Sequence, residues 1–350
     1  MKPSFADLPT VLLEIIMSQL VLKDNIRASA ACKSWLEAAV SVRVVEKHPW
    51  ILYFPKHGHL FKLCDPLTWK SNPLKLPELA GSTVCYSRDG WLLMHRCESQ
   101  DTFFFNPFSK ELISLPKIDL SFREIAFSCS PTSDDCVVVA IHFAVSISTC
   151  CPGATEWFTK HHIIFPPFQT QSRPFHKQST LLYVDDQFYG FNEAIGCLYS
   201  FYPYSRRLYV HSSACIDRYQ QSSGCQKTVF LGEKKGELFL ICTSGNEKPL
   251  VYKLVSWKWE EMSNAMLDGL TIFVSLYNSE LRTNLPWMRN NLYFSRFGYN
   301  RKRASYSFDE DRYTPPMKWN RWLELCPPQC VWIDPPNNVL DICERALHEI

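Results

Sequence analysis

Glycine is scarce in this sequence, and its scarcity excludes several classes of enzyme. The chain has 12 glycines in 350 residues, and none falls in a Gly-x-Gly-x-x-Gly, phosphate-loop or Gly-x-Ser-x-Gly pattern. Those patterns need glycine because the backbone must turn sharply or approach a phosphate or a nucleophile closely. The His-Glu-x-x-His signature of zinc proteases is absent as well. We therefore expect a protein that is not an enzyme.

An excess of charge of one sign is also missing. Lysine and arginine total 37 against 35 aspartates and glutamates, so nothing in the bulk charge attracts nucleic acid or an anionic membrane. The most apolar run, Cys136 to Ser148, contains His142 and is shorter than the roughly 20 residues that a membrane helix needs. The N-terminal residues have no apolar core typical of a secretory signal. We expect no nucleic-acid or membrane partner, and a location in the nucleus and/or the cytoplasm.

Metal-ligand spacing is missing although cysteine and histidine are not rare. The 15 cysteines follow no repeated spacing, which favours reduced thiols that mostly pack as small hydrophobic side chains. The side chains nearest to a ligand pattern are His57, His59, Cys64, His161, His162, Cys326 and Cys330. No second pair completes a zinc site around any of them. We therefore expect no metal and no cofactor.

The first 48 residues have the pattern of three short helices. Apolar residues recur at helical spacing. They are Leu8, Leu12, Ile15, Ile16, Met17 and Leu20. Asp7 is suited to cap the first helix, with Pro9 in its first turn, where a missing N–H costs nothing. Asp24 is suited to cap a second helix, and a third is predicted from about Lys33 to Val45.

From Trp50 onward the pattern changes to short strands separated by turns. Runs of aromatic and β-branched residues alternate with Pro, Gly, Asn, Asp and Ser, and no long helical pattern interrupts them. Such a series predicts a sandwich, a barrel or a propeller. Two pairs of neighbouring carboxylates, Asp134-Asp135 and Asp185-Asp186, lie where strand-connecting turns are expected, so turn chemistry explains them better than acid–base catalysis.

The spacing of a repeated turn favours the propeller. A turn residue followed at once by an apolar strand recurs at separations of 45, 51, 50 and 55 residues. Its anchors are Gly90, Asp135, Asp186, Gly236 and Asn291. A period of about 40–50 residues is one four-stranded blade, which gives about six blades between Trp50 and Pro336. Another all-β fold remains the alternative, because Gly, Asp and Asn turns precede strands in every β protein.

The propeller also predicts how the ring closes. The stretch from Trp50 to Asp65 is too short for four strands. We therefore expect the segment Trp319–Pro336 to return to the first blade and complete it.

The N-terminal residues resemble an F-box. The resemblance rests on Asp7-Leu8-Pro9, the apolar helix that follows, and Cys32-Lys33-Ser34-Trp35, with Ala31 in place of the usual valine. The remainder is similar to the C-terminal domain of a large plant F-box family of the F-box/kelch-repeat type. Its landmarks are Asp89-Gly90-Trp91-Leu92-Leu93, Asn106-Pro107-Phe108-Ser109, Thr155-Glu156-Trp157, Gly236-Glu237-Leu238-Phe239-Leu240, Trp259-Glu260-Glu261-Met262 and Asn291-Leu292-Tyr293-Phe294.

The resemblance implies a fold and a role. The fold is α+β, with a three-helix F-box at residues 1–48, an all-β, propeller-like recognition domain at 49–336 and a C-terminal tail at 337–350. The role is that of non-catalytic substrate receptor in a Skp–cullin–F-box ubiquitin ligase. Its partners would be a Skp-type adaptor, through it a cullin, and a protein substrate that the sequence does not identify.

Three rival functions stay open. An F-box scaffold or regulator would bind the adaptor without recruiting a substrate. A propeller enzyme would need polar residues gathered at one mouth of the channel. A DNA-binding helix-turn-helix has only Arg27, Lys33 and Arg43 in its favour, and these do not make a basic face.

In the family, the adaptor packs against the apolar face of the F-box helices. Carried onto this chain, the resemblance implies adaptor contacts at Leu8, Pro9, Leu12, Ile16, Leu20, Ile26 and Trp35. We expect Ile15 and Trp35 to belong partly to the internal core of the F-box. Trp287 and Trp322, in predicted loops, are candidates for contact with a partner, because aromatic side chains dominate interfaces.

Overall fold

The structure of the chain is a computed structural model. It describes residues 8–20, 25, 27–42, 47–55, 58–68, 70–118, 122–142, 146–162, 181–192, 196–215, 227–244, 247–283, 285, 287–297, 303–314 and 330–336.

Two helices pack together in the N-terminal region. Helix α1 spans Thr10–Gln19 and helix α2 spans Lys33–Val42. Between them lie the buried side chains Leu13, Met17, Ala38 and Ala39. These four make a small core, so only one face of each helix is covered by the other.

The helix boundaries differ from those predicted. Helix α1 begins at Thr10, and Pro9 stands at the cap position, where its carbonyl accepts a hydrogen bond from the Leu12 N–H at 2.9 Å. The predicted caps Asp7 and Asp24 lie outside the described residues. The predicted second helix is described only in part, so three helices are not confirmed.

A buried amide ties the two helices to the segment between them. The Asn25 side chain is 2% exposed and donates to the carbonyls of Met17, at 3.3 Å, and of Ala39, at 3.4 Å. One helical turn follows, in which the Ser29 N–H donates to the Asn25 carbonyl. The polar side chain thus pairs with carbonyls from both helices, as a buried amide must.

Beyond the helices, the described strands form six sheets. Blade 1 contains β1 (Trp50–Tyr53), β2 (Leu60–Cys64), β3 (Ser71–Lys75) and β25 (Cys330–Ile333). Blade 2 contains β4 (Thr83–Arg88), β5 (Trp91–Arg96), β6 (Asp101–Phe105) and β7 (Leu112–Ser114). Blade 3 contains β8 (Phe122–Phe127), β9 (Val138–His142), β10 (Ser146–Cys150) and β11 (Phe158–His161).

The other three blades follow in chain order. Blade 4 contains β12 (Leu182–Val184), β13 (Gln187–Asn192), β14 (Cys197–Tyr202) and β15 (Arg207–Cys215). Blade 5 contains β16 (Lys227–Lys234), β17 (Glu237–Ser244), β18 (Leu250–Val255) and β19 (Lys258–Glu261). Blade 6 contains β20 (Thr271–Val274), β21 (Ser279–Arg282), β22 (Asn291–Phe297), β23 (Arg303–Ser307) and β24 (Arg312–Thr314). The predicted six-bladed propeller is confirmed.

The repeated turn is the connection between the first and second strands of a blade. In blades 2, 4 and 5 it consists of two residues with positive φ: Asp89-Gly90, Asp185-Asp186 and Lys235-Gly236. Two-residue turns of this kind match the twist of antiparallel strands, which is why Gly and Asp recur there. The carboxylates of Asp185 and Asp186 are therefore turn residues, as predicted.

The C-terminal strand closes the ring. Strand β25 pairs antiparallel with β1, with Trp50 opposite Ile333 and Tyr53 opposite Cys330. The expected return of the C-terminal segment to blade 1 is thus confirmed at residues 330–333.

Blade 6 departs from the simple meander. Strand β21 turns back at Ser275–Asn278 and takes the inner position, so β20 pairs antiparallel with β21 and parallel with β22. The inner strands of neighbouring blades touch around the axis in the order β25, β4, β8, β12, β16 and β21. Blade 6 therefore has five strands, one more than each of the others.

The core lies between the blades. Strand β9 is buried at all five positions and β5 at five of six, because each sheet is covered on both faces by its neighbours. This burial explains the continuous apolar runs in the sequence, which lack the alternation of a half-exposed strand. A typical contact between blades 2 and 3 is Phe104 edge-on to Phe127, with ring centroids 5.0 Å apart.

One cysteine contradicts the expectation of reduced thiols. Ten described cysteines are free, but Cys197 on β14 is disulfide-bonded. A disulfide depends on which residues the fold brings together, and scattered spacing in the sequence does not reveal that.

Candidate functional site

Helix α1 presents an apolar face to solvent. Val11, Leu12, Ile15 and Ile16 are 64%, 47%, 55% and 39% exposed, whereas the intervening Leu13 is fully buried. Residues 11 and 15, like 12 and 16, are one turn apart and lie on the same side of the helix. The small core between the helices does not account for four exposed, large apolar side chains on one short helix.

Helix α2 continues this pattern. Leu36 and Val40, also one turn apart, are 45% and 56% exposed, while Ala38 and Ala39 between them are buried. Exposed apolar groups of this density mark a surface that a partner covers. We call Val11, Leu12, Ile15, Ile16, Leu36 and Val40 the apolar helix surface.

The predicted adaptor contacts fall into three groups. Pro9, Leu12 and Ile16 are exposed. Leu8, Leu20 and Trp35 are partly buried and pack against the small helical core. Ile26 lies outside the described residues.

Ile15 is exposed where a partly internal position was expected, and the sequence analysis did not single out three further exposed apolar residues. Ile15 was expected in the internal core but is exposed, because the core of α1 runs along Leu13 and Met17 instead. Val11, Leu36 and Val40 were missed. The signal that identifies them is the i, i+4 pairing of apolar residues, 11 with 15 and 36 with 40.

A cluster of charged side chains lies at one mouth of the propeller channel. Arg282, the last residue of β21, donates from Nη2 to both carboxylate oxygens of Asp334, at 2.9 and 3.0 Å. Its Nη1 lies 2.9 Å from a carboxylate oxygen of Glu280. Arg88, at the end of β4, donates to the Tyr183 carbonyl at 3.0 Å. The ends of inner strands from four blades therefore meet at this mouth.

Glu280 has a perturbed acidity. The pKa of its carboxyl is raised from 4.5 to about 7: burial is the largest cause and the neighbouring Asp334 adds to it, while Arg282 and Arg88 partly offset the rise. A carboxyl that titrates near neutral pH is half protonated there, so its negative charge is only partly present.

Stability should therefore depend on pH through Glu280. Between pH 4.5 and 7 the folded chain retains a proton that the unfolded chain has released, so the free energy of unfolding falls as the pH rises through this window. The shift corresponds to roughly 3 kcal/mol. Thermal melting of wild type and Glu280→Gln at pH 4.5 and pH 8 tests this. The wild-type melting temperature should fall by several degrees relative to the variant, and a constant difference at both pH values would contradict it.

Among the described residues, no group of three His, Cys, Asp or Glu side chains is placed to hold a metal ion. His161 instead pairs through Nδ1 with the Ser146 hydroxyl at 2.8 Å. His57 and Cys326 lie outside the described residues. In the described part of the chain, no helix is long and apolar enough to cross a membrane.

The described tryptophans include both core and surface residues. Trp50, Trp91 and Trp332 are buried between blades, whereas Trp287, in the loop before β22, is 83% exposed. Trp322, the other loop candidate, lies outside the described residues.

Comparison with known sequence families covers both parts of the chain. The F-box domain matches residues 5–47, and the KIB1-4 beta-propeller matches residues 52–312. The propeller match alone spans most of the chain.

Two curated relatives match almost the whole chain. The chain is 61% identical to F-box protein At4g00893 of Arabidopsis thaliana over 355 residues, 97% of this chain and 89% of that protein. It is 36% identical to F-box/kelch-repeat protein At1g57790 of Arabidopsis thaliana over 97% of each chain. Among solved structures, a protein of unknown function from Bacteroides thetaiotaomicron is similar with a TM-score of 0.42 and 11% identity, over 76% of this chain and 66% of that one. That structural likeness is too low to support an inference.

Proposed function

The chain belongs to the plant F-box proteins that carry a KIB1-4 β-propeller, and from this premise we propose that it is the substrate-receptor subunit of a Skp–cullin–F-box ubiquitin ligase. In this role the F-box binds a Skp-type adaptor, the adaptor connects the chain to a cullin, and the propeller holds a protein substrate. We place the complex in the nucleus and/or the cytoplasm.

The observation that carries the proposal is the apolar helix surface. Its six side chains remain exposed although the helices already have a core of their own. A partner that covers them with apolar helices of its own would remove this surface from water, which is favourable by roughly 25 cal/mol per Å². The predicted contacts Pro9, Leu12 and Ile16 belong to the same exposed region.

The propeller supplies the second half of the role. Its closed ring is held by contacts between blades and presents loops from six blades on each face. Such a scaffold positions a bound protein rigidly near a ubiquitin-loaded enzyme. The chain then contributes proximity and no bond chemistry, because holding two reactants together makes their encounter effectively intramolecular.

Co-purification and ubiquitin transfer test the proposal. The tagged chain is expressed in plant tissue with the proteasome blocked, and the bound proteins are identified by mass spectrometry. We expect adaptor, cullin and at least one ubiquitylated protein, all lost from a Leu12→Asp/Ile16→Asp control. Recovery of the adaptor without cullin or ubiquitylated protein would contradict the receptor role and favour the scaffold or regulator.

A further inference from the structure

The outer hairpins of blades 3, 4 and 5 present large apolar side chains to solvent. In the described part of the propeller ten such side chains are exposed, and five of them lie in these three neighbouring hairpins: Phe158, Tyr204, Tyr209, Val210 and Trp257. The other five, Leu60, Leu67, Leu112, Met266 and Trp287, are spread over the remaining structure. Single exposed apolar residues are common, but this concentration on adjacent blades marks a surface that a partner covers. We call Phe158, Tyr204, Tyr209, Val210 and Trp257 the apolar rim.

Contacts between blades join the rim into one surface. The guanidinium of Arg206, in the β14–β15 turn of blade 4, lies 3.5 Å from the ring centroid of Phe158 at the start of β11 in blade 3. On the other side of blade 4, the His211 ring stacks on Trp257 of blade 5, with centroids 4.2 Å apart. The rim therefore runs without a break from β11 across β15 to the β18–β19 turn.

Blades 3 and 4 add positive charge to the rim. The Lys160 ammonium donates to the Arg206 carbonyl at 3.2 Å, so two cations from different blades are neighbours. Arg207 is the next residue and is exposed. Among the described residues, none of these three cations forms an ion pair with a carboxylate, and neither does the exposed Glu156 before β11.

The positive charge is confined to these two blades. Residues 203–211 of blade 4 include two arginines and no carboxylate, and in blade 3 Lys160 stands against Glu156. In the outer hairpin of blade 5, Lys258 is followed by Glu260 and Glu261, so no excess of cations is present there. Three cations against one carboxylate leave blades 3 and 4 with an excess of two positive charges.

Exposed rings beside unpaired cations select an acidic protein segment. Clusters of cations recognise acidic motifs through charge-assisted hydrogen bonds, and aromatic side chains are the commonest anchors of interfaces. Arg206 is held in place for this role, because its guanidinium already rests on the Phe158 ring. Nucleic acid fits less well, since 37 basic against 35 acidic residues give the chain no long-range attraction to a polyanion.

We propose that the apolar rim docks an aspartate- and glutamate-rich segment of the protein substrate. Carboxylates of this segment contact Lys160, Arg206 and Arg207, and its apolar side chains cover Phe158 and Tyr204. That the bound protein is a substrate rests on the proposed receptor function. The site uses no residue of the apolar helix surface, so adaptor and substrate occupy separate parts of the chain.

Selection from a phage-displayed library of random short peptides on the immobilised full chain tests the rim. We expect enrichment of peptides that combine several aspartates or glutamates with an aromatic or aliphatic residue. Fluorescence anisotropy of the leading peptide should show binding that weakens as salt is added. Lys160→Glu and Arg206→Glu should each weaken it about tenfold or more, because each replaces an attractive charge with a repulsive one. Tyr204→Ala, which removes a ring that is 68% exposed, should weaken it about fivefold.

Lys75→Glu is the matched control. Lys75 is exposed on β3, the outer strand of blade 1, and forms no ion pair within the described ranges. We expect Lys75→Glu to bind the peptide as wild type does, and melting curves verify that every variant is folded. The proposal would be overturned by enrichment of peptides without acidic residues, by no enrichment, or by an equal loss in Lys75→Glu. Tighter binding of a single-stranded oligothymidylate than of the peptide would also overturn it.

Adaptor binding separates this inference from the receptor role. Arg206→Glu should bind the adaptor as wild type does but lose the ubiquitylated proteins that co-purify with it. Leu12→Asp/Ile16→Asp should lose the adaptor and keep the peptide. Ubiquitylated proteins that persist in Arg206→Glu would overturn the rim alone. Acidic-peptide binding at the rim, with adaptor but no ubiquitylated protein recovered from wild type, would overturn the receptor role and leave the rim supported as a docking site.

Discussion

Replacing Leu12 and Ile16 together with aspartate should reduce the affinity for a Skp-type adaptor about a thousandfold or more. Each side chain is exposed in the isolated chain, so both are available for burial by a partner. Burying a side chain of this size stabilises a complex by roughly 1.5–3 kcal/mol. The aspartates also bring two charges that the interface must desolvate, so the total loss exceeds about 4 kcal/mol.

Because Leu12 and Ile16 are exposed, the double substitution should affect adaptor binding much more than folding. Leu12 and Ile16 do not fill the helical core, so the double variant should keep its fold apart from a helix-propensity cost of about 0.5 kcal/mol per residue. Leu112→Asp, a substitution of an equally exposed leucine on the propeller, is the matched control and should bind normally. The measurement is a titration with purified adaptor. Near wild-type affinity of the double variant would show that residues 5–45 do not dock the adaptor through this face.

Trp332→Ala should lower the melting temperature of the propeller by roughly 10 °C or more. Trp332 is fully buried on β25 and stacks edge-on against Phe273, with ring centroids 4.9 Å apart. Its indole N–H donates to the Val274 carbonyl at 3.0 Å. Truncating a buried tryptophan costs about 3–5 kcal/mol, and the orphaned carbonyl adds to that. In a domain of this size each kcal/mol shifts the midpoint by about 2–4 °C.

Trp287→Ala is the control for Trp332→Ala, because it also removes a tryptophan but removes no buried packing. Trp287 is 83% exposed, so its removal should change the unfolding free energy by no more than about 0.5 kcal/mol. Differential scanning calorimetry of the two variants makes the comparison. Equal midpoints for Trp332→Ala and wild type would mean that β25 does not hold the ring together.

The turn repeat was predictable because its chemistry is local. Asp89-Gly90 and Lys235-Gly236 adopt positive φ, which few other residues accept, so the sequence marks the inner hairpins of blades 2 and 5. Asn290 also has positive φ, yet it precedes β22, which is the third strand of blade 6 counted from the channel. A turn signature reports local backbone geometry and not which strand the next segment pairs with. The sequence therefore did not predict that β21 is the inner strand of blade 6.

The sequence predicted the apolar helices of the N-terminal region but not which of their side chains are exposed. The sequence of α1 is apolar on more than one side, so its spacing predicts a helix without revealing which face is internal. The packing of α2 decides that Leu13 and Met17 are core and that Ile15 is exposed. Arg282 and Asp334, which pair at the channel mouth, are far apart in the chain, and only ring closure brings them together.

Because β1 pairs with β25, blade 1 can be completed only near the end of synthesis. At about 5–20 residues per second, the ribosome needs roughly 15–55 s to proceed from the first of these strands to the last. During that interval the nascent F-box is already complete, while the inner edge of β1 stays unpaired and open to association with other chains. A prematurely terminated product therefore retains the helices but lacks the closed ring. Under the proposed function, such fragments would bind the adaptor without presenting a substrate and would compete with the complete chain.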